Sequence, residues 1–256
     1  MIKKVKKSEE TLIEFCDLTY NPWQGCHKLS LGCRFCYMFR DKMKYGQEPN
    51  RVVRSKDPTF YKPLKWHEPK LVFTCSWSDF FISEADAWRD EVWEIIRATP
   101  HLTYQIITKR PERILDNLPD DWGDGYPNVW LGVTVENNAT RHRLRTLSEI
   151  PAAVRFISFE PLLENLDLDG YMQILTQYYG WGILGAESGN DNGLYRYRPC
   201  QVEWLEHLVD VCRRTDVAVF VKQLGTHLHN ELGLRDRHAR DIEEFPESLK
   251  IREFPK

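Results

Sequence analysis

Six short apolar runs, each leading into a stretch with helical periodicity, constrain this chain more than any other feature. They are LVFT (71–74), YQIIT (104–108), VWLGVTV (129–135), VRFISF (154–159), WGILGA (181–186) and VAVFV (217–221), with midpoints about 25 to 35 residues apart. That interval is one strand plus one crossover helix. Between the runs, EADAWRDEVWEIIRATP (84–100) places Ala85, Trp88, Val92, Ile95 and Ile96 on one helical face, and VEWLEHLVDVCRRT (202–215) does the same with Leu205, Leu208, Val209 and Cys212. Pro111 opens a further helix after TKR, and Asn138 or Thr140 caps the basic helix ATRHRLRTLSEI. Runs that are apolar throughout belong to parallel strands buried on both faces. The expected fold is therefore α/β, a partial (β/α)6 barrel of parallel strands covered by helices, with a short extra strand near residues 12–20. A doubly wound sheet is the alternative. No Gly/Ser-rich linker divides the chain, so residues 1–225 read as one domain. Residues 226–256 read as a charged extension whose alternating FPESLKIREFP packs back on the barrel.

In a parallel α/β sheet, functional groups sit where the strands end and the βα loops begin. Those positions hold Cys75, Ser76, Ser78 and Asp79, then Thr108, Lys109 and Arg110, then Glu136 and Asn137, Glu160, Glu187 and Ser188, and Lys222 and Gln223. Loops are polar in any protein. Glu136, Glu160, Glu187 and Lys222, however, come directly off apolar runs, where a charge is costly without a partner or ligand.

Composition narrows the partners. The 256 residues carry a net charge of -3, so affinity for nucleic acid must come from a local patch. One exists: residues 40–70 hold nine Lys/Arg against four acids, interleaved with Tyr45, Phe60, Tyr61 and Trp66, a mixture suited to phosphate contact and base stacking. A solvated surface would look the same. No apolar run approaches the roughly 20 residues of a membrane span. The basic MIKKVKKSEE lacks the apolar core of a signal peptide, so a cytoplasmic, reducing location is expected.

In that setting the stretch NPWQGCHKLSLGCRFCYM (21–38) stands out, with Cys26, Cys33 and Cys36 inside eleven positions while Cys16, Cys75, Cys200 and Cys212 are scattered. Closed zinc sites take four ligands, and His27 adjoins Cys26 too closely for both to reach one ion with ease. Burial as small hydrophobes explains neither the clustering nor Gly25 and Gly32. An iron–sulfur cluster with three protein ligands keeps one iron open, and three is then the right number. His227, His229 and His238 match no firm ligand spacing.

CRFC followed by Tyr37 resembles the C-x-aromatic-C half of the radical S-adenosylmethionine (SAM) motif, with six residues instead of the usual three between the first two cysteines. TYNPWQGC, SLGCRFCY, ITKRP, LGVTVEN, FEPLL, GAESG with a following RP, and FVKQLG are similar to a phage- and bacterium-encoded three-Cys-motif group over residues 12–225. The resemblance implies a [4Fe–4S] cluster on Cys26, Cys33 and Cys36, SAM on its open iron, and an external one-electron reductant. It also implies a 5′-deoxyadenosyl radical that modifies a substrate, and the basic segment 40–70 makes a nucleic acid or nucleotide the expected class. CSWSD stands where that superfamily usually has GGE, which implies Ser76, Ser78 and Asp79 as contacts for the SAM amino group or ribose. Glu136 or Glu160 would accept from ribose hydroxyls, Lys109, Arg110 and Lys222 would neutralise a carboxylate or phosphate, and Gly185 and Gly189 around Glu187 would allow close backbone approach. The rival reading is a zinc-stabilised nucleic-acid-binding protein without catalysis.

Overall fold

The structure is a computed structural model that describes residues 11–256; the basic segment 1–10 lies outside the described residues. Among the described residues, nine strands and seven α-helices follow in order: β1 (Leu18–Tyr20), β2 (Trp23–Gln24), α1 (Tyr37–Lys44), β3 (Val53–Arg54), α2 (Asp57–Phe60), β4 (Lys70–Thr74), α3 (Asp86–Ala98), β5 (Leu102–Thr108), β6 (Val129–Thr134), α4 (His142–Ser148), β7 (Val154–Phe159), α5 (Met172–Tyr178), β8 (Trp181–Gly185), α6 (Val202–Arg214), β9 (Ala218–Gln223) and α7 (Gly225–Leu232).

The six apolar runs and the short strand β1 make one seven-stranded sheet of order β1-β4-β5-β6-β7-β8-β9, parallel at every pairing. Each new strand joins beside its predecessor, so the sheet is wound in one direction and curls into a half-barrel with helices on its convex side, as expected from the sequence. A doubly wound sheet would reverse its order midway. β2 and β3 form a separate antiparallel pair next to the cysteine loop.

Alternation along the strands sends side chains to two cores. Val72, Tyr104, Ile106, Val129, Leu131, Val133, Ile157, Leu184, Val219 and Val221 pack outward with the helices, whose buried stripes include Val92, Ile95 and Ile96 of α3 and Leu205, Leu208 and Cys212 of α6. Phe156, Trp181, Ile183 and Phe220 face the concave side, where Phe15, Phe73, Ile107 and Trp130 join them. Gly132 is small because a Cβ there would lie 2.6 Å from the Phe156 ring. Phe15, Phe73 and Ile107 of this cluster also line a cavity at the carboxyl ends of the strands. Trp181 is the cluster's centre: it is fully buried and meets Phe15, Trp130, Phe156, Phe220 and Phe254. Trp181→Ala is expected to lower unfolding free energy by about 3–5 kcal/mol, read from the urea midpoint.

Residues 251–254 run antiparallel along β9, with Val221 N–H donating to Ile251 O at 2.9 Å and Glu253 N–H to Val219 O at 2.7 Å. The Trp181 indole donates to Glu253 O, and Phe254 stacks on it. Two local expectations change. The helix expected from Pro111 is a pair of 3-10 turns (Pro111–Arg113 and Leu115–Asn117), because DNLPDDWGDGYP breaks the helical pattern. The cap before α4 is Asn137, which exchanges bonds with Thr140 in a capping box around a 3-10 turn. Among the described residues no helix is long and apolar enough to cross a membrane.

Candidate active site

The cysteine loop hangs over the open mouth of the half-barrel, and its path is dictated by glycine and by hydrogen bonds to strand ends. Gly25 has φ +100, and a Cβ there would lie 2.2 Å from Arg51 O. Its N–H donates to Trp77 O at 3.0 Å, and Ser78 Oγ donates to its carbonyl at 2.5 Å. The loop then makes a 3-10 turn over Leu31–Cys33, and Cys36 sits at the residue preceding α1.

The turn rests on Glu136, at the end of β6. Ser30 Oγ donates to Glu136 Oε1, and Gly32 packs so close that a Cβ would fall 2.9 Å from that carboxylate. Glu136 is wholly buried, and Arg143 Nη1 from α4 pairs with it at 2.9 Å while also donating to Thr134 O. A second clamp comes from the loop after β8. Glu187 accepts three bonds from Arg198, and Arg198 Nη1 donates to Leu31 O at 2.9 Å with its guanidinium over the Phe35 ring. The clustered strand-end charges thus include two that fix the cysteine loop from opposite sides. Ser30 and Arg143 escaped sequence reasoning; the only signal for Arg143 was its spacing from Glu136 across a helix start.

All three loop cysteines are free thiols, and all three line one cavity of ≈ 200 Å³. Ser76, Ser78, Asp79, Lys109, Glu160 and Lys222 line the same cavity. Of the eight cofactor-binding residues expected from sequence, the structure thus brings six to the cysteines. Glu136 lies beneath the loop, and Glu187 lines an adjoining cavity of ≈ 330 Å³ that shares Cys36, Tyr37, Lys109, Glu160 and Lys222 with the first.

These groups are not equally available. Asp79 is saturated: it accepts from Thr108 Oγ1, Lys109 N–H and Phe81 N–H, and pairs with Arg110 at 3.0 Å. Ser76 Oγ is tied to Asn21. Lys109 Nζ donates to Thr134 Oγ1 at 3.2 Å. Lys222 Nζ pairs with Glu160 Oε1 at 2.9 Å. Tyr37 donates to Ser76 O and lines both cavities, and Phe35 lines the second, whereas Trp23 is buried against Phe80 away from both.

The electrostatics of the three thiols differ. Burial pushes Cys26 up to about 12, with Asp79 adding to the rise, although the Arg110 guanidinium lies 3.9 Å from its sulfur. Burial also raises Cys36. At Cys33 burial acts upward too, but Lys109 and bonds from the loop backbone and Ser30 outweigh it and lower the thiol. Arg110 therefore brings positive charge toward Cys26, and Lys109 toward Cys33 and Cys36. Among the described residues no three His, Cys, Asp or Glu side chains converge on a point that would hold one ion.

Residues 40–70 do not form one stacking surface. Phe60 is fully buried and Trp66 lies in the core, so neither can stack on a base. Arg54 lies over Phe60 and pairs with Asp57 and Glu91. Tyr45 is exposed, with Lys44 beside its ring.

Fold and site define an α/β half-barrel protein with a three-cysteine loop clamped over the carboxyl ends of its strands. The chain belongs to the family described as Protein of unknown function (DUF5131), whose model matches residues 10–249. No curated protein matches the sequence. Among solved structures, the fold is similar to a cysteine-to-serine mutant of spore photoproduct lyase, with TM-score 0.52 and 14% identity over 85% of this chain and 79% of that one. A second spore photoproduct lyase mutant, with bound AdoMet and dinucleoside spore photoproduct, gives TM-score 0.45 and 13% identity over 78% of this chain and 61% of that one.

Proposed function

We propose that this protein is a radical SAM-type enzyme whose [4Fe–4S] cluster is held by Cys26, Cys33 and Cys36, and which modifies a nucleotide or nucleic-acid substrate. The observation that carries the reading is the convergence of three free cysteines from one loop on a single cavity at the carboxyl mouth of a parallel half-barrel. The likeness of fold to spore photoproduct lyase is compatible with it and supports the architecture alone.

Held by these cysteines, a cluster would supply the single electron, drawn from an external reductant, that breaks the sulfonium C5′–S bond of SAM into methionine and the 5′-deoxyadenosyl radical. The chain's own residues bind, orient and shield. Lys109 and Lys222 stand where they can neutralise the SAM carboxylate. Glu160, the strand-end carboxylate that lines the cysteine cavity beside Lys222, is placed to accept from ribose hydroxyls; Glu136 is committed to Ser30 and Arg143. Ser76 and Ser78 offer oxygens at the rim, and Asp79 holds Arg110 and the Lys109 backbone in place. Phe35 and Tyr37 line the cavities beside the cysteines, where aromatic rings would help set a cluster's potential.

The test is a reaction under anaerobic conditions with dithionite and SAM. Chromatography is expected to show 5′-deoxyadenosine formed in a cluster-dependent manner. SAM recovered intact, from protein that binds one zinc, would instead establish the zinc-stabilised binding protein.

A further inference from the structure

The second cavity has an outer end that the cofactor reading leaves unused. Its inner wall is the partition it shares with the cysteine cavity, formed by Cys36, Tyr37, Lys109, Glu160 and Lys222. Its outer end is formed by Arg40, from α1, and by His238 and Arg240, from the segment after α7. Neither arginine lines the cysteine cavity.

Among the described residues, Arg240 Nε is buried without a hydrogen-bond partner. The nearest carboxylates, Asp236 and Glu14, lie 3.6 and 3.8 Å from it, beyond hydrogen-bond reach. Asp236 is occupied by the backbone N–H groups of His238 and Arg240. Burial is the chief cause that raises Glu14 from the usual carboxylate range, against the charges of Lys222, Arg240 and Arg252. Arg40 gives Nε and Nη2 to Asp41 at 2.7 and 3.3 Å, which leaves Nη1 facing outward from that pair. Three cationic or donor side chains from two distant parts of the chain thus meet at the end of one cavity, where an anion would engage them together.

We propose that the outer end of this cavity is a phosphate subsite, in which Arg40, His238 and Arg240 hold the phosphate monoester of a small substrate such as a nucleoside monophosphate. The inference rests on the functional reading above for the word substrate, though not for the binding itself. A guanidinium pair matches the geometry and the double charge of a phosphate monoester, whereas a single carboxylate would satisfy only half of it. With its phosphate anchored there, the rest of the molecule extends along the shared partition toward the cysteines. Burial depresses the His238 ring, and the charges of Arg240, Arg237 and Arg40 depress it further while Asp236 opposes them, so all of these groups act on it together. A dianion placed among them would reverse that depression.

The experiment is a calorimetric titration of the full-length protein, with no SAM or reductant present, using inorganic phosphate, adenosine 5′-monophosphate and dimethyl phosphate as probes. Saturable binding of the first two is expected, with dimethyl phosphate weaker by tenfold or more. Arg240→Gln and Arg40→Gln should each weaken phosphate binding about tenfold, in keeping with loss of one charge-assisted bond. Arg213→Gln, at the opposite end of the barrel, should leave it unchanged. A second readout needs no variant: phosphate should raise the apparent pKa of His238, followed by NMR of its ring. Absence of saturable binding, wild-type affinity in both Gln variants, an unmoved His238, or equal affinity for dimethyl phosphate would overturn the assignment. Because no cluster chemistry enters the titration, a negative result leaves the radical reading intact, and failure of SAM cleavage leaves the subsite intact.

Discussion

Cys33→Ala is expected to lose essentially all bound iron and all 5′-deoxyadenosine formation while remaining folded. Cys33 lies in the loop, part-buried, and makes no core contact of consequence; its sulfur neighbours Ser30 Oγ at 3.9 Å. Removing one Sγ therefore costs little packing, so the far-UV spectrum should be unchanged and the unfolding free energy from urea titration should fall by less than about 1 kcal/mol. Cys212→Ala supplies the contrast. That cysteine is buried on α6 against the sheet, with its sulfur 3.1 Å from where a Gly182 Cβ would stand. Its loss should lower stability and leave iron content unchanged. The reverse pattern, iron retained in Cys33→Ala and lost in Cys212→Ala, would refute the ligand assignment.

The second large effect is expected at the seat beneath the loop. Glu136→Ala leaves Arg143 with an unpaired charge in a site where its side chain is 6% exposed and that of Glu136 was 0%. Breaking a buried pair from one side costs about 3–5 kcal/mol. Replacing both members together, Glu136→Leu with Arg143→Leu, should cost clearly less than the single change because no orphan charge remains. Both variants remove the acceptor for Ser30, so both should loosen the turn that carries Cys33 and reduce iron retention. This cycle separates a seat from a ligand contact. If Glu136 served chiefly to bind SAM, Glu136→Ala would raise the SAM requirement with little change in the urea midpoint.

Much of this architecture is legible in the sequence because burial on both faces of a parallel strand leaves a continuous apolar run, and every run found is a strand of the sheet. The rim positions follow from the same logic: Lys109, Glu160 and Lys222 each stand one or two residues after a run and each line the cysteine cavity. What could not be read is which partner each charge takes. Glu136 and Glu187 look alike in sequence, as glutamates directly after an apolar strand. One is locked to Arg143, seven residues on in the next helix, and the other to Arg198, eleven residues on in a loop. The aromatic residues of segment 40–70 show the same limit. Composition cannot tell that Phe60 fills the core while Tyr45 is 70% exposed. Nor could Arg240 be joined to Arg40, since two hundred residues of intervening chain bring them to one cavity only through the closure of the half-barrel.

The most direct measurement is iron, acid-labile sulfide and zinc content of protein purified and reconstituted without oxygen. Three cysteines at three corners of one cluster predict about four irons and about four sulfides per chain, with a charge-transfer absorption that dithionite bleaches. One zinc per chain, no sulfide and no such absorption would contradict the account.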